Sequence, residues 1–476
     1  MAFWNRRKSV DIADHGGERL KATLSWPHLI AMGVGAIVGT GIYTLTGIGA
    51  GLAGPAVLVS FAICGVLCAC AALCYAEMAT MIPAAGSAYT YSYAVLGEML
   101  AWIVGWSLIL EYTVAAAAVA IGWGGHATSI IQTWGWNVPP QLLHGMMDGG
   151  LINLPAIFIA GFITFLLVLG TRESATLNIA LVLIKLAALV LFVVLAIQAF
   201  HGANFHPFAP FGYGATPDGH GHNLGALGAA AIVFFAFYGF DTVSTAAEET
   251  KNPGRNLIIG IVGSMAICTT IYMVVAATAV GAVPFHLFSS VKEETPLVHI
   301  LHILQHPVAA QLVAAAVVIA IPSVILVLMY GQSRIFFVMA RDGLLPQSWS
   351  VVHSKRGTPV LMTVITGAVV AGLAAVFNLD KIVELANAGT LCAFIAVAVC
   401  MLVMRVRDPG RPRIFRTPMP WIVGPICVLG CLYLFAAGLP LFTQTAFLIW
   451  NGIGLLVYLL YSRRASRLAR TDAPSQ

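Results

Sequence analysis

The sequence predicts an all-α polytopic membrane protein, and composition gives the first reason. Of 476 residues, 59% are hydrophobic and only 9% are charged, with a mean hydropathy of +0.90. Soluble domains carry about 25% charged residues. The second reason is length, because a membrane helix needs about 20 mainly apolar residues. Twelve apolar runs, numbered here as spans 1 to 12, lie near 28–52, 55–82, 99–123, 153–170, 176–200, 224–247, 257–282, 308–338, 359–377, 382–404, 420–439 and 443–462.

These spans divide the chain into five parts. A cytoplasmic N-terminal segment, 1–27, precedes a ten-helix core, 28–404. A basic cytoplasmic loop, 405–418, leads to spans 11 and 12 within 419–462, and a cytoplasmic tail, 463–476, follows. The N-terminal segment is polar and charged and span 1 has full length, so no cleavable signal is expected.

The basic residues predict the orientation. With both termini in the cytoplasm, 21 of the 24 Lys and Arg residues fall in cytoplasmic segments. Lys292 and Lys381 fall outside, which is the asymmetry that the positive-inside rule requires of a multi-pass inner-membrane protein. The net charge of +5 therefore reflects topology and contact with anionic lipid, and gives no support for nucleic-acid binding. The remaining cation, Lys185, lies in the body of span 5.

Cysteine and histidine give little indication of a metal or cofactor. All nine cysteines fall inside predicted spans, where cysteine acts as a small apolar packing residue. The predicted outer loop near 201–223 contains His201, His206, His220 and His222. Their spacing matches no clear ligand set, so a solvated loop is favoured over a metal or pH-sensing site. No cofactor is expected.

Spans 1 and 6 are interrupted at comparable depth. Span 1 contains A-I-V-G-T-G-I-Y, where Gly39 and Gly41 bracket Thr40, and span 6 contains F-F-A-F-Y-G-F-D, with Gly239 and Asp241. If the first ten spans form two blocks of five, spans 1 and 6 become equivalent, and the odd number inverts the second block. The pattern predicts twelve transmembrane helices: a 5+5 inverted repeat with discontinuous helices 1 and 6, plus two C-terminal helices.

Paired interruptions of this kind mark a transporter's binding site, because broken backbone persists in a bilayer only beside a cavity or a ligand. The new helix start suits a carboxylate, and the carbonyls before the break suit an ammonium. The sequence therefore predicts a site for an amino acid. The expected binding groups belong to Ile37, Gly39, Thr40, Gly41 and the adjacent Ile42 in span 1, and to Phe235, Ala236 and Tyr238 in span 6. The alternative is that the glycines only allow close helix packing.

Four ionisable residues lie inside the spans: Glu77, Glu111, Lys185 and Asp241. Such residues are costly in a membrane and are usually functional. One interpretation is that Lys185 binds and releases a proton during transport, with Glu111 and Asp241 as partners. The other is that Lys185 stays charged and replaces a bound Na⁺ as a fixed structural cation. Asp241 could equally support the span 6 break, and a structural role is expected for Glu77 at the cytoplasmic end of span 2.

Five ordered motifs carry a family resemblance. They are G-V-G-A-I-V-G-T-G-I-Y, G-W-S-L-I-L-E-Y, T-R-E-S-A-T-L-N-I-A-L-V-L-I-K, F-F-A-F-Y-G-F-D-T-V-S-T-A-A-E-E-T-K-N-P-G-R-N and M-Y-G-Q-S-R-I-F-F-V-M-A-R-D-G-L-L-P. Together they resemble the amino acid–polyamine–organocation (APC) superfamily, and in particular the bacterial relatives of cationic amino acid transporters. The resemblance runs from about residue 20 to residue 462.

The resemblance implies inverted five-helix repeats, with helices 1 and 6 unwound around the substrate, and proton-driven amino acid uptake. Carried over by position, it assigns proton coupling to Lys185, Glu111 and Asp241. It also implies that Leu328, in helix 8, faces the substrate side chain.

Two positions depart from the family pattern. Ser107 stands where many relatives carry an acidic residue, and Tyr238 is bulkier than the aliphatic residue often found there. Phe235, Tyr238 and Leu328 make an apolar, aromatic pocket with no obvious acid for a guanidinium, so a neutral substrate is favoured over a cationic one.

The function predicted from these observations is secondary active import of L-amino acids by proton symport through alternating access. The alternative is an amino acid or amine exchanger of the same fold, with Lys185 as a structural cation. The spans show neither a filter motif typical of channels nor a catalytic set of side chains, so a channel and an enzyme are disfavoured. No obligatory protein partner is evident.

Overall fold

The computed structural model describes residues 6–9, 24–84, 86–136, 138–169, 175–218, 223–247, 250–289, 295–351 and 360–471. These residues are almost all helical, with one short antiparallel pair of strands, Thr216–Pro217 (β1) and Asn223–Leu224 (β2). Most of the predicted N-terminal segment, together with His220, His222 and Lys292, lies outside the described residues.

The α-helices of the described chain are numbered in order. The first ten are α1 (Trp26–Ile37), α2 (Thr40–Ala53), α3 (Val57–Met81), α4 (Ser87–Val95), α5 (Glu98–Thr133), α6 (Leu154–Leu169), α7 (Ala175–Ala196), α8 (Ala226–Val233), α9 (Thr242–Thr245) and α10 (Pro253–Ala282). The others are α11 (Phe285–Ser289), α12 (Pro296–Ile303), α13 (Pro307–Ala320), α14 (Pro322–Arg341), α15 (Val360–Val376), α16 (Leu379–Arg407), α17 (Pro420–Tyr433), α18 (Leu441–Val457), α19 (Arg463–Ala465) and α20 (Arg467–Thr471).

The long helices have the length and composition of membrane spans. Within the described residues, nine helical stretches are long and apolar enough to cross a membrane. The longest, Trp26–Met81, contains predicted spans 1 and 2. Two shorter apolar helices, Leu154–Leu169 and Val360–Val376, lie at predicted spans 4 and 9. The structure is therefore that of a nearly all-helical, polytopic membrane protein.

Burial separates central from peripheral helices. The stretches Glu98–Gln132 and Ala226–Thr245 are almost wholly buried, so α5, α8 and α9 lie at the centre of the bundle. The last two spans lie at its edge, where Leu441 and Leu460 expose 74% and 76% of their surface. Lipid tails are as apolar as leucine, so such side chains are expected on a lipid-facing surface.

The predicted interruption of span 1 is present. α1 ends at Ile37 and α2 begins at Thr40, with Val38 and Gly39 in extended conformations between them. The earlier glycines of the span fit the packing interpretation instead. A Cβ atom on Gly35 would lie 2.9 Å from a methyl group of Val182 in α7.

The predicted interruption of span 6 is also present. α8 ends at Val233 and the chain tightens into a 3₁₀ turn, Phe234–Phe237. Tyr238 is extended, and Gly239 has a φ of +112°, a conformation that residues with a Cβ atom rarely adopt. Helical geometry resumes at Thr242.

Candidate functional site

The two interruptions lie directly against each other. A Cβ atom on Gly41 would overlap the backbone of Ala236, and one on Gly239 would lie 2.9 Å from the Cβ atom of Ala36. Glycine therefore allows backbone to meet backbone, with no side chain between the two breaks. This contact brings the predicted binding groups of spans 1 and 6 into one region.

The first turn of α2 can bind an anion. Gly39 precedes this turn and has no side chain with which to cap it. The N–H groups of Thr40, Gly41 and Ile42 belong to the first helical turn, where N–H groups lack an intrahelical acceptor. The positive end of the helix dipole lies at the same place, so the geometry suits a carboxylate.

Two of the carbonyl groups predicted to hold an ammonium each accept a hydrogen bond. The Tyr272 hydroxyl donates to the Ile37 carbonyl at 2.8 Å, and the Tyr238 N–H donates to the Phe235 carbonyl at 3.1 Å. A carbonyl oxygen has two lone pairs. Both groups can therefore accept one further donor.

Aromatic rings line the span 6 break. Phe235 and Tyr238 stack with centroids 5.8 Å apart and planes within 4°, and Tyr112 of α5 meets Tyr238 edge-on at 6.1 Å. The Tyr238 hydroxyl is buried and has no hydrogen-bond partner within the described residues. The faces of these rings are apolar, and the Tyr238 hydroxyl is available to a ligand.

Helix α14 passes the same region. A Cβ atom on Gly39 would lie 3.3 Å from Val324, and one on Gly331 would lie 3.0 Å from the ring of Tyr112. Leu328 lies four residues after Val324 and three before Gly331, so it shares their face of the helix. It is fully buried. The structure thus places Leu328 between the first break and Tyr112.

Lys185 joins three helices near the first break. Its Nζ atom donates hydrogen bonds to the Gly35 carbonyl of α1 at 2.8 Å and to the Ser323 hydroxyl of α14 at 3.0 Å. Its own carbonyl accepts a hydrogen bond from the Tyr43 hydroxyl of α2 at 2.7 Å. The side chain is 1% exposed. Lys185 therefore connects α7 to both halves of the interrupted helix and to α14.

The two predicted acids each keep one oxygen unbonded. The Thr390 hydroxyl donates to Glu111 Oε1 at 2.9 Å, and the Tyr112 hydroxyl donates to Asp241 Oδ2 at 2.9 Å. Glu111 Oε2 and Asp241 Oδ1 are buried and have no hydrogen-bond partner in the described part of the chain. Both oxygens are open to a proton or to another donor.

The site is closed to solvent in this conformation. The exposed fractions of the side chains that line it lie between 0 and 4%, for Ile37, Thr40, Phe235, Ala236, Tyr238 and Leu328. A substrate held here would be occluded from both sides of the membrane.

Ion pairs lie at the end of the bundle where the first and last described residues are found. We call this end the terminal face (Arg6–Ser9, Glu77, Glu98, Asp342 and Arg463–Thr471). Lys8 pairs with Asp342 at 2.5 Å. Arg405 donates to both oxygens of Glu77, at 2.8 and 2.6 Å, and the Thr417 N–H donates to Glu77 Oε2 at 2.8 Å. The Glu77 carboxylate is thus fully engaged, in agreement with the structural role expected for it.

Sequence reasoning missed several polar residues at the site. Tyr112, which holds Asp241, directly follows Glu111 in the chain, and Ser323, which holds Lys185, is a polar residue inside span 8. Both residues could therefore have been selected from the sequence, as polar residues inside predicted spans. Tyr272 gave no signal, because its partner Ile37 is 235 positions away. Ser107 donates to Asn451 at 3.1 Å and so faces α18.

Comparison with known proteins identifies the family. The model of a family described as amino acid permease matches residues 24–459. The chain belongs to the amino acid permease family, within the APC superfamily. The relatives described below are permeases and transporters, not enzymes.

Three relatives illustrate the range of the amino acid permease family. The branched-chain amino acid permease BcaP of Bacillus subtilis is 42% identical over 97% of this chain and 98% of its own length. A methylthioribose transporter of the same organism is 39% identical over 98% of this chain and 100% of its own. Human cationic amino acid transporter 4 is 33% identical over 83% of this chain and 61% of its own. The two Bacillus subtilis proteins thus match almost the whole of this chain.

Proposed function

We propose that this permease is a secondary active transporter that imports neutral L-amino acids by proton symport through alternating access. The single observation that carries the proposal is the contact between the two broken helices, with Lys185 bound beside the first break. The contact supplies a place for both charged ends of an amino acid, and Lys185 supplies a group that can exchange a proton next to it.

The fold that we propose has twelve transmembrane helices. The stretch Trp26–Met81 counts as two of them, and the shorter helices Leu154–Leu169 and Val360–Val376 count as one each. The first ten would form a 5+5 inverted repeat. The contacts support this arrangement because they are nearly reciprocal: Gly41 of the first break lies on Ala236, and Gly239 of the second lies on Ala36.

We assign the substrate's carboxylate to the N–H groups at the start of α2, around Thr40 and Gly41. Its ammonium would contact the carbonyls of Ile37 and of Phe235, Ala236 and Tyr238. Main-chain recognition of this kind reads the part that all amino acids share.

The substrate side chain would then lie against Phe235, Tyr238 and Leu328. The stacked rings and the buried leucine favour an apolar side chain over a charged one, because burying a charge without a partner is costly. The name of the Bacillus subtilis BcaP, a branched-chain amino acid permease, agrees with this assignment for that relative.

Proton coupling would act through the bonds of Lys185. A charged ammonium binds the Gly35 carbonyl and the Ser323 hydroxyl more strongly than a neutral amine does, since hydrogen bonds from ionised donors are about twice as strong as neutral ones. Loss of the proton would weaken the link between α1 and α14 and let α1 move. The unbonded oxygens of Glu111 and Asp241 would accept protons in the same cycle.

We propose that the protein lies in the inner membrane of the cell, with both termini in the cytoplasm. The terminal face would then be the cytoplasmic face. In the closed conformation, access from the cytoplasm would be blocked at the ion pairs of Glu77 and Asp342.

The test is uptake by the purified protein in proteoliposomes. A pH gradient, acid outside, should drive accumulation of a branched-chain amino acid into vesicles that contain none, and an ionophore that collapses the gradient should abolish it. The alternative, an exchanger with Lys185 as a fixed cation, predicts uptake only when the vesicles are preloaded with substrate. Uptake that needs preloading and ignores the gradient would overturn the proposal.

A further inference from the structure

An open cavity of about 790 Å³ lies on the terminal face, away from the substrate site. Its walls come from two separate parts of the chain. Arg341 ends α14, and Gly343, Gln347 and Ser348 lie in the segment after it. Arg467 begins the last described helix. The two arginines therefore converge on one space from different segments.

The walls of this cavity are firmly joined. The Ser462 hydroxyl donates to the Leu344 carbonyl at 2.6 Å, and the Arg467 N–H donates to the Asp342 carbonyl at 2.9 Å. Gly343 has a φ of +78°, and a Cβ atom there would lie 2.6 Å from the Ala465 carbonyl. The C-terminal segment is thus fixed against the turn after α14, so the cavity is part of the fold.

Among the described residues, those that line the cavity carry two positive charges, from Arg341 and Arg467, and no carboxylate. Lys8, which is paired with Asp342, adds a positive charge close to the cavity. Burial lowers the pKa of its ammonium, Asp342 raises it, and Arg341 and Arg467 lower it again by repulsion. The neighbouring carboxylate of Asp342 is already engaged, because its Oδ1 binds Lys8 at 2.5 Å and its Oδ2 accepts a hydrogen bond from the Tyr89 hydroxyl at 2.8 Å. Arg341 and Arg467 are both exposed residues.

The cavity lies close to the lipid surface. Leu460, 76% exposed, lies on the helical turn that leads from α18 towards Ala465, which lines the cavity. Five residues of helix rise about 8 Å. The polar headgroup layer is roughly 5 to 8 Å thick on each side of the hydrocarbon. The cavity therefore lies within about one headgroup thickness of a leucine that is expected to face lipid, which is the level at which lipid phosphates are expected.

We propose that this cavity binds the phosphate of an anionic phospholipid headgroup, with Arg341 and Arg467 as the two ligands. Gln347 and Ser348 supply further hydrogen-bond donors for the headgroup. Basic pockets on the cytoplasmic side of membrane proteins bind anionic headgroups in this way. The inference uses the cytoplasmic orientation from the proposed function, but its readout is lipid binding and does not depend on transport.

The experiment measures binding of phosphatidylglycerol to the full-length protein in phosphatidylcholine nanodiscs, by native mass spectrometry and by thermal shift. The double variant R341Q/R467Q should weaken binding about 25-fold, because each arginine near the surface contributes about fivefold. The matched control R255Q/R416Q removes two exposed arginines elsewhere on the same side and should bind as the wild type does. R341K/R467K keeps the charge and should retain most of the binding, which separates a lost site from a damaged fold.

Each other outcome counts against the proposal. Equal loss in R341Q/R467Q and R255Q/R416Q would show that only total charge matters. Stabilisation of the protein by inorganic phosphate or glycerol phosphate as strong as that by the lipid would assign the cavity to a soluble phosphate ester. Absence of any response to phosphatidylglycerol in the wild type would overturn the site. Failure of the transport proposal would leave both readouts of lipid binding intact.

Discussion

The Nζ atom of Lys185 lies 2.8 Å from the carbonyl oxygen of Gly35, two residues before α1 ends. Carbonyl groups in the last turn of a helix have no intrahelical donor and carry the negative end of the helix dipole. The lysine thus compensates the end of a helix that stops inside the membrane, and it ties that end to α14 through Ser323. On the proposed mechanism, a change in the protonation of Lys185 would act directly on the helix that we expect to move.

The first prediction concerns this lysine. Lys185→Ala should abolish accumulation driven by a pH gradient in proteoliposomes but leave a folded protein, with a monodisperse elution profile and retained substrate binding. Lys381→Ala, which removes an exposed lysine from α16, is the matched control and should accumulate substrate normally. Undiminished uptake by Lys185→Ala against a substrate gradient would refute the coupling role.

The second prediction concerns the break in span 6. Gly239→Ala should lower the free energy of unfolding by about 1 to 3 kcal/mol, because it forces a Cβ atom into a strained conformation. The new atom would also press on Ala36, so the contact between the breaks should open and uptake should fall. Thermal unfolding and uptake measure the two effects.

Gly263→Ala is the control for that substitution. Gly263 lies inside α10, and the nearest side-chain atom to a new Cβ atom would be 3.5 Å away, an ordinary contact. Alanine is the better helix former, by about 1 kcal/mol. This variant should be as stable as the wild type or slightly more stable. If both variants behaved alike, the special geometry of Gly239 would have no role.

The interruptions and the charged residues in the spans could be predicted from sequence, because each violates a local rule of membrane helices. Gly39, Gly41 and Gly239 are poor helix formers at mid-membrane depth, and Lys185 is a charge in an apolar run. What these residues bind could not be predicted. The partners of Lys185 and Glu111, Ser323 and Thr390, are 138 and 279 positions away, and only the packing of the bundle brings them together.

The third prediction compares two buried tyrosines. Tyr272→Phe removes a hydroxyl that donates to Ile37, so it should cost about 0.5 to 1.5 kcal/mol of unfolding free energy. Tyr238→Phe removes a hydroxyl without a partner in the described chain, so stability should be unchanged or higher. Because Tyr238 is assigned to the substrate pocket, its variant should instead change the relative affinity for different amino acids in a thermal-shift screen. A large loss of stability in Tyr238→Phe, with substrate preference unchanged, would contradict the assignment.

The fourth prediction concerns the ion pair between Glu77 and Arg405 on the terminal face. Glu77 is fully buried and Arg405 is only 16% exposed, so removing one partner leaves an uncompensated charge, which typically costs about 3 to 5 kcal/mol. Glu77→Gln should cost more than Arg405→Gln. In the first variant both Arg405 and Arg413 lose their carboxylate, whereas in the second Glu77 keeps its ion pair with Arg413 at 3.2 Å and its bond from the Thr417 N–H.

The control for this asymmetry is the nearby pair of Asp408 and Arg411, which is 3.8 Å apart with the acid 45% exposed. Exposed pairs contribute about 0 to 1 kcal/mol, so Asp408→Asn should change the unfolding free energy little. A double-mutant cycle on Glu77 and Arg405, read by chemical unfolding in detergent micelles, isolates their coupling. A coupling energy near zero, or an Arg405→Gln variant less stable than Glu77→Gln, would show that Glu77 is not the centre of this cluster and that the terminal face is held closed by other contacts.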